Sequence, residues 1–272
     1  MTPDPAIRQL VFAVWLGCIS TLILAGDLSG ETPDSKLPGI ALIIDDLGNQ
    51  RGTGKRVVEL PGPIACAFLP HGPYTRTLAE QAFSRHKEVM LHLPMQAVDH
   101  DRAVYDKGVL TLDMTRHQFL ETLSDDIAAV PHVSGLNNHM GSLLTMHPGH
   151  MEWLMQAIGE RGDLFFVDSR TTTATVAQRL AQEHSIPNIE RKVFLDNDPD
   201  PAAIRRQFRL LIAAARREGT ALGIGHPYPG TLDILTEELE KLEHQGIQLL
   251  SVSRLIELQN ERRLAWQASS SP

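Results

Sequence analysis

Two adjacent carboxylates, Asp45 and Asp46, follow the apolar run 39–44 and precede Leu47-Gly48. Such a run ending in a glycine reads as a buried strand entering a tight turn. Neighbouring carboxylates at the end of a buried strand repel each other and lose hydration, so they need a cation or hydrogen bonds in compensation. Fold stability gains nothing evident from the pair. A metal site, an acid/base site, or both, explain it.

Other residues able to ligate a metal or move a proton sit at comparable places. His92 lies in Met90-Leu91-His92-Leu93-Pro94, and Asn137, Asn138 and His139 precede Met140-Gly141-Ser142. Asp168 closes Phe165-Phe166-Val167-Asp168 ahead of Ser169-Arg170, and His226 closes Gly223-Ile224-Gly225-His226 ahead of Pro227-Tyr228. Each has an ordinary structural reading alone: a satisfied strand-end histidine, an Asx turn at one of the asparagines, a helix cap or an Arg170 partner for Asp168. Their convergence raises the joint case.

Carboxylate with imidazole suits Zn²⁺ or another first-row divalent ion, whereas Ca²⁺ and Mg²⁺ prefer all-oxygen shells. A catalytic zinc takes three protein ligands and keeps one position open. Asp46, His92 and His139 are the natural three. Adjacent strand residues point to opposite faces, so both carboxylates reach one cavity only if the strand breaks at Asp46. Asp45 then stands beside the ion as general base and His226 opposite as general acid.

The elements carrying these residues alternate short apolar runs with longer helical patterns, the signature of βα units around a parallel sheet. Strands read over 39–45, 64–69, 89–93, 133–137, 164–168, 221–225 and 248–252, with a weaker one over 188–194. Helices read over 54–60, 74–85, 115–130, 150–160, 176–184, 201–218 and 232–245, and Ser253 caps a last one. Pro94 is expected to stop the third strand, and 95–113 to form a hairpin or lid. No linker or repeat divides 39–259, so seven or eight βα units closing one barrel is the expected fold. Reactive groups of such barrels gather at the carboxyl ends of the strands. His71, after Phe68-Leu69-Pro70, joins them at the cleft, while the remaining histidines read as surface.

The chain of 272 residues carries a net charge of −8 without a basic run, which argues against nucleic acid as a partner. Residues 10–25 are almost continuously apolar after a lone Arg8, so 1–26 reads as a signal peptide or a membrane anchor. Residues 27–38 read as a polar linker and 260–272 as a disordered tail. Cys66 is the one cysteine beyond the apolar segment and reads as inert core.

The set Ile-Asp-Asp-x-Gly, Leu-His-Leu-Pro-Met, Asn-Asn-His-Met-Gly-Ser, Asp-Ser-Arg-Thr and Gly-His-Pro resembles the divergent polysaccharide deacetylases, distant relatives of the NodB-type carbohydrate esterases. The resemblance covers about 38–258. It implies a distorted (β/α)7 barrel, Asp45 as base, Asp46 as metal ligand, His226 as acid, and Asp168 supporting that acid. Two departures stand out. Gln96 occupies the place of the second histidine of a His-x-x-x-His turn, so His139 substitutes for it. The segment that orients the base is absent, and Arg170 takes over that task. Asn137, Asn138, Tyr228 and His71 are placed around the cleft as substrate contacts. The implied function is a zinc-dependent hydrolase removing acetyl groups from a cell-envelope glycan. The periplasm or another exported location is implied, with inner-membrane anchoring as the alternative to a cleaved leader. The competing reading is a non-catalytic envelope protein that keeps the barrel and the ion and binds a glycan or protein partner.

Overall fold

The computed structural model describes residues 37–99 and 107–270. The apolar leader and all but the last residues of the linker lie outside them. Among the described residues no helix is long and apolar enough to cross a membrane.

Nine strands form one parallel sheet: β1 (Gly39–Leu47), β2 (Ala65–Phe68), β3 (Val89–Met95), β4 (Val133–Met140), β5 (Phe165–Asp168), β6 (Asn188–Glu190), β7 (Val193–Phe194), β8 (Thr220–Gly225) and β9 (Gln248–Leu249). Their order is β6-β5-β4-β3-β2-β1-β8-β7, with β9 added to the start of β1. The path's two ends are a single stretch of chain. Arg191 N donates to the Asp168 carbonyl of β5 and Lys192 N to the Leu222 carbonyl of β8, both at 2.9 Å. One extended segment, β6 and β7 together, thus bridges the curled sheet and completes the distorted seven-stranded barrel. The described residues form the α-helices α1 (Arg51–Glu59), α2 (Thr75–Ser84), α3 (Arg116–Ala129), α4 (Pro148–Arg161), α5 (Ala177–Glu183), α6 (Pro201–Glu218), α7 (Pro229–Leu239) and α8 (Val252–Ser270).

Strand alternation sorts the apolar side chains into two layers. Ile40, Leu42 and Ile44 join Cys66, Leu91, Leu136 and Phe166 in the larger core that the helices cover. Ala41, Ile43, Ala65, Met90, Val167, Leu222 and Ile224 form a second cluster with Leu255 and Ile256 of α8. Cys66 is fully buried, and burial pushes its thiol up to about 12, which leaves it unreactive.

Several elements differ from the sequence reading, three of them near the site or the chain's end. β3 continues through Pro94 to Met95. The Pro94 carbonyl accepts from Leu110 N at 3.0 Å, so the proline's missing N–H also faces that segment and not β4. Gln96 N donates to the Leu110 carbonyl at 2.9 Å, and Gln96 Oε1 accepts from Leu112 N at 2.8 Å. Gln96 therefore pins the 107–114 segment to the barrel. Finally, α8 does not end at Asn260: it stays helical to Ser270, tied back by Arg262 Nη2 donating to the Leu37 carbonyl at 2.8 Å.

Candidate functional site

The site lies at the carboxyl ends of β1, β3, β4 and β8. β1 carries one extra residue there, because Ile44 pairs with Cys66 but Leu47 with Phe68. Asp46 absorbs the bulge in a left-handed conformation at φ 57°. A bulge re-aims a side chain, and here it turns Asp46 out of strand alternation toward the ring of His92. A non-glycine residue held there is strained, as functional sites often are.

Three ligand atoms meet. Asp46 Oδ1 lies 3.0 Å from His139 Nδ1 and 3.3 Å from His92 Nε2, and the two ring nitrogens are 3.0 Å apart. Tetrahedral zinc with ligands at its usual bond lengths separates them by about 3.3 Å. Asp46 Oδ1 is buried and accepts no hydrogen bond of proper geometry among the described residues. These three residues are also the single group of this kind found among the described residues. An orphaned carboxylate oxygen facing two imidazole nitrogens fits a first-row divalent cation.

Electrostatics agree with that fit. Burial disfavours the charged form of Asp46, yet His139 and His92 hold its carboxyl well below the usual range. Burial also works against a charged His92, but Asp45 and Asp46 raise the ring to about 9. The cavity is built to hold positive charge.

Around this centre, Asp45 is buried and its Oδ1 accepts from Asn137 Nδ2 at 2.9 Å. Burial raises its pKa, against the pull of His92, His226 and the Asn137 bond, which suits a proton acceptor. His226 Nε2 lies 3.8 Å from Asp46 Oδ2. Its ring sits between Phe194 and the half-exposed Tyr228, with centroids at 5.3 and 5.5 Å. Burial disfavours its charged form, but Asp196 more than offsets this and raises the pKa.

The structure corrects several expected roles. Asp196, not Asp168, supports His226: its Oδ1 is 2.9 Å from His226 Nδ1, and its Oδ2 accepts from Thr231 Oγ1 at 2.7 Å. Asp168 faces α5, where Oδ2 accepts from Thr175 Oγ1 at 2.9 Å and Oδ1 from Arg170 N at 2.9 Å. It organises a turn. Arg170 does not orient Asp45 but pairs with Glu190 at 2.7 Å. The arginine that feels the Asp45 charge is the half-buried Arg191, whose Nε donates to the Ser169 carbonyl at 2.6 Å.

Asn137 and Asn138 are too buried to meet a substrate. Asn137 joins Asp45 to His92, while Asn138 Oδ1 accepts from Ser169 N at 2.8 Å and its Nδ2 donates to the Met140 carbonyl at 2.8 Å. His71 turns to α3, with Nε2 2.9 Å from Asp126 Oδ1. Of the four, Tyr228 is the one whose half-exposed ring packs on a residue of the site, His226.

The chain matches the profile of the divergent polysaccharide deacetylases over residues 42–256. It is 36% identical to the uncharacterized protein YibQ of Escherichia coli over 247 residues, 91% of this chain and 72% of that one. Among solved structures, an uncharacterized protein of Agrobacterium tumefaciens superposes with a TM-score of 0.77 at 21% identity, covering 80% of this chain and 89% of that one. The peptidoglycan deacetylase PdaC of Bacillus subtilis superposes at 0.51 with 15% identity, over 88% of this chain and all of that one. With the profile spanning most of the barrel, the chain belongs to the divergent polysaccharide deacetylase family.

Proposed function

We propose that this chain is a metal-dependent hydrolase that removes acetyl groups from a cell-envelope glycan, with Asp46, His92 and His139 holding Zn²⁺ or another first-row divalent ion. One observation carries the reading: the three ligand atoms form a triangle of 3.0–3.3 Å edges flanked by Asp45 and by the His226–Asp196 pair. A structural barrel has no need of that arrangement. An exported location and an N-terminal signal or anchor belong to this proposal, since an envelope substrate requires them.

A divalent ion in this site supplies Lewis acidity to the water and to the acyl carbonyl. Asp45, buried and aimed by Asn137, takes the proton of the attacking water. His226, charged and held by Asp196, delivers a proton to the departing amine or alcohol as its bond to the acyl carbon breaks. The acyl group leaves as acetate. Tyr228, stacked on His226 and half exposed, offers a face to the sugar ring that carries the acetyl group.

The test is acetate release from N-acetylated and O-acetylated envelope glycans by protein stripped with chelator and reloaded with zinc. Activity that disappears with the metal and returns on reloading is expected. A protein that binds zinc but releases no acetate from any of these glycans contradicts the hydrolase and favours the non-catalytic binder.

A further inference from the structure

We propose that Asn137 is a positioning residue whose single amide sets both the ring of His92 for metal ligation and the carboxylate of Asp45 for proton transfer. The role rests on the metal-hydrolase reading and goes beyond it, because it gives one buried side chain the task of holding both the base and a metal ligand.

β3 and β4 pair in parallel with His92 opposite Asn137, and strand alternation puts Asn137 on the same face as Gly135, over the barrel interior. The amide touches three side chains. Its Nδ2 lies 2.9 Å from Asp45 Oδ1 and 3.2 Å from Ser169 Oγ, and its Oδ1 lies 2.9 Å from His92 Nδ1. The polarity of these contacts follows from the Asn137–Asp45 bond. The NH₂ group donates to Asp45, and the amide oxygen is left to His92. Because that oxygen only accepts, His92 Nδ1 must carry the ring proton. In the neutral ring that would ligate a metal, the lone pair is then confined to Nε2, the atom that faces Asp46 Oδ1 and His139 Nδ1. Partners of this kind fix tautomer and ring orientation for metal-ligating histidines.

Asn137 is fully buried, so no water takes over either bond if the amide is lost. Its neighbours hold it in turn. Arg191 donates to the carbonyls of Ser169 and Arg170 at 2.6 and 2.9 Å, which fixes the loop that brings Ser169 Oγ to the amide. One side chain thus links the base, a metal ligand and the loop after β5.

The two tasks separate by substitution. Asn137→Asp keeps an acceptor for His92 Nδ1–H but replaces the donor facing Asp45 with a like charge. Asn137→Leu removes both partners while keeping the side chain's heavy-atom count and branching. The experiment measures zinc affinity of the full chain by chelator competition, the melting transition of each metal-free protein, and acetate release. Asn137→Leu is expected to bind zinc about 10–100-fold more weakly, with a cooperative metal-free transition. Asn137→Asp is expected to bind zinc within a few-fold of the wild type and to lose acetate release. Wild-type zinc affinity in Asn137→Leu overturns the role of Asn137 and leaves the hydrolase reading standing. Wild-type protein that binds no zinc overturns both. If Asn137→Leu fails to fold, Asn137→Asp decides: acetate release at the wild-type rate, or loss of zinc, overturns the role.

Discussion

Asp196 Oδ1 lies 2.9 Å from His226 Nδ1, and Asp196 Oδ2 accepts from the His226 backbone N–H at 2.6 Å. Both carboxylate oxygens therefore serve one residue, which fixes the imidazole and leaves Nε2 directed toward Asp46. Asp196 ends no regular strand. It follows β7 by two residues, on the face of Phe194.

Exchanging the two candidate supports of the acid separates them. Asp196→Asn is expected to lower turnover by about 10²-fold or more, since the imidazolium loses its charged partner. Zinc content should be unchanged. Asp168→Asn is expected to keep turnover within a few-fold but to cost about 1–3 kcal/mol of stability. The amide cannot accept from Thr175, Gln178 and Arg170 together. Turnover and denaturant unfolding of both variants check this, and equal turnover losses would restore Asp168 to the site.

A pH-dependent stability follows from Asp126. Its carboxyl is fully buried, Oδ2 has no hydrogen-bond partner among the described residues, and burial with the Asp125 charge raises it to about 8. Burial and Lys107 likewise push His71 down, so the pair is a neutral hydrogen bond and not an ion pair. Between the ordinary carboxylate range and about pH 8 the folded state binds the extra proton, so stability falls as pH rises through that window. Asp126→Asn mimics the neutral acid and removes this dependence. Its melting temperature should exceed that of the wild type by a margin that grows from pH 5 to pH 8.5. A constant margin would mean that Asp126 is ionised throughout.

Gly135 predicts a packing defect. A Cβ there would lie 2.3 Å from the Phe165 ring, whose side chain fills the barrel interior beside β4. Gly135→Ala is expected to cost about 1–3 kcal/mol by overpacking. It also disturbs the strand that carries Asn137 and His139, so zinc affinity should fall with stability. Denaturant unfolding and metal titration together check it.

How much of this was legible in the sequence depends on strand alternation. Asp45, His92 and His226 end apolar runs in phase with Ile43, Met90 and Ile224, which face the interior. Their place in the site follows from counting by two. The same count puts Asp168 in phase with Phe166 and Asn138 with Leu136, both on the helix-covered face, so their structural roles were readable but unread. Asp46 breaks the count, and only its bulge at φ 57° brings it in. Asp196 was missed because its strand is two residues long and Leu195-Asp196-Asn197-Asp198 reads as a polar loop. Phase with Phe194 was its one signal. His71 is the converse: it follows a strand as the others do, but Asp126 on α3 takes its ring, and nothing local announces that partner.

The central claim is that Asp46, His92 and His139 hold one ion while Asp45 handles a proton. Anomalous diffraction from zinc-loaded crystals tests it most directly, collected for the wild type and for Asp45→Asn. One zinc peak about 2.0–2.2 Å from Asp46 Oδ1, His92 Nε2 and His139 Nδ1 is predicted in both, with acetate release lost only in Asp45→Asn. No peak at these atoms, or a peak that vanishes in Asp45→Asn because Asp45 is itself a ligand, would contradict it.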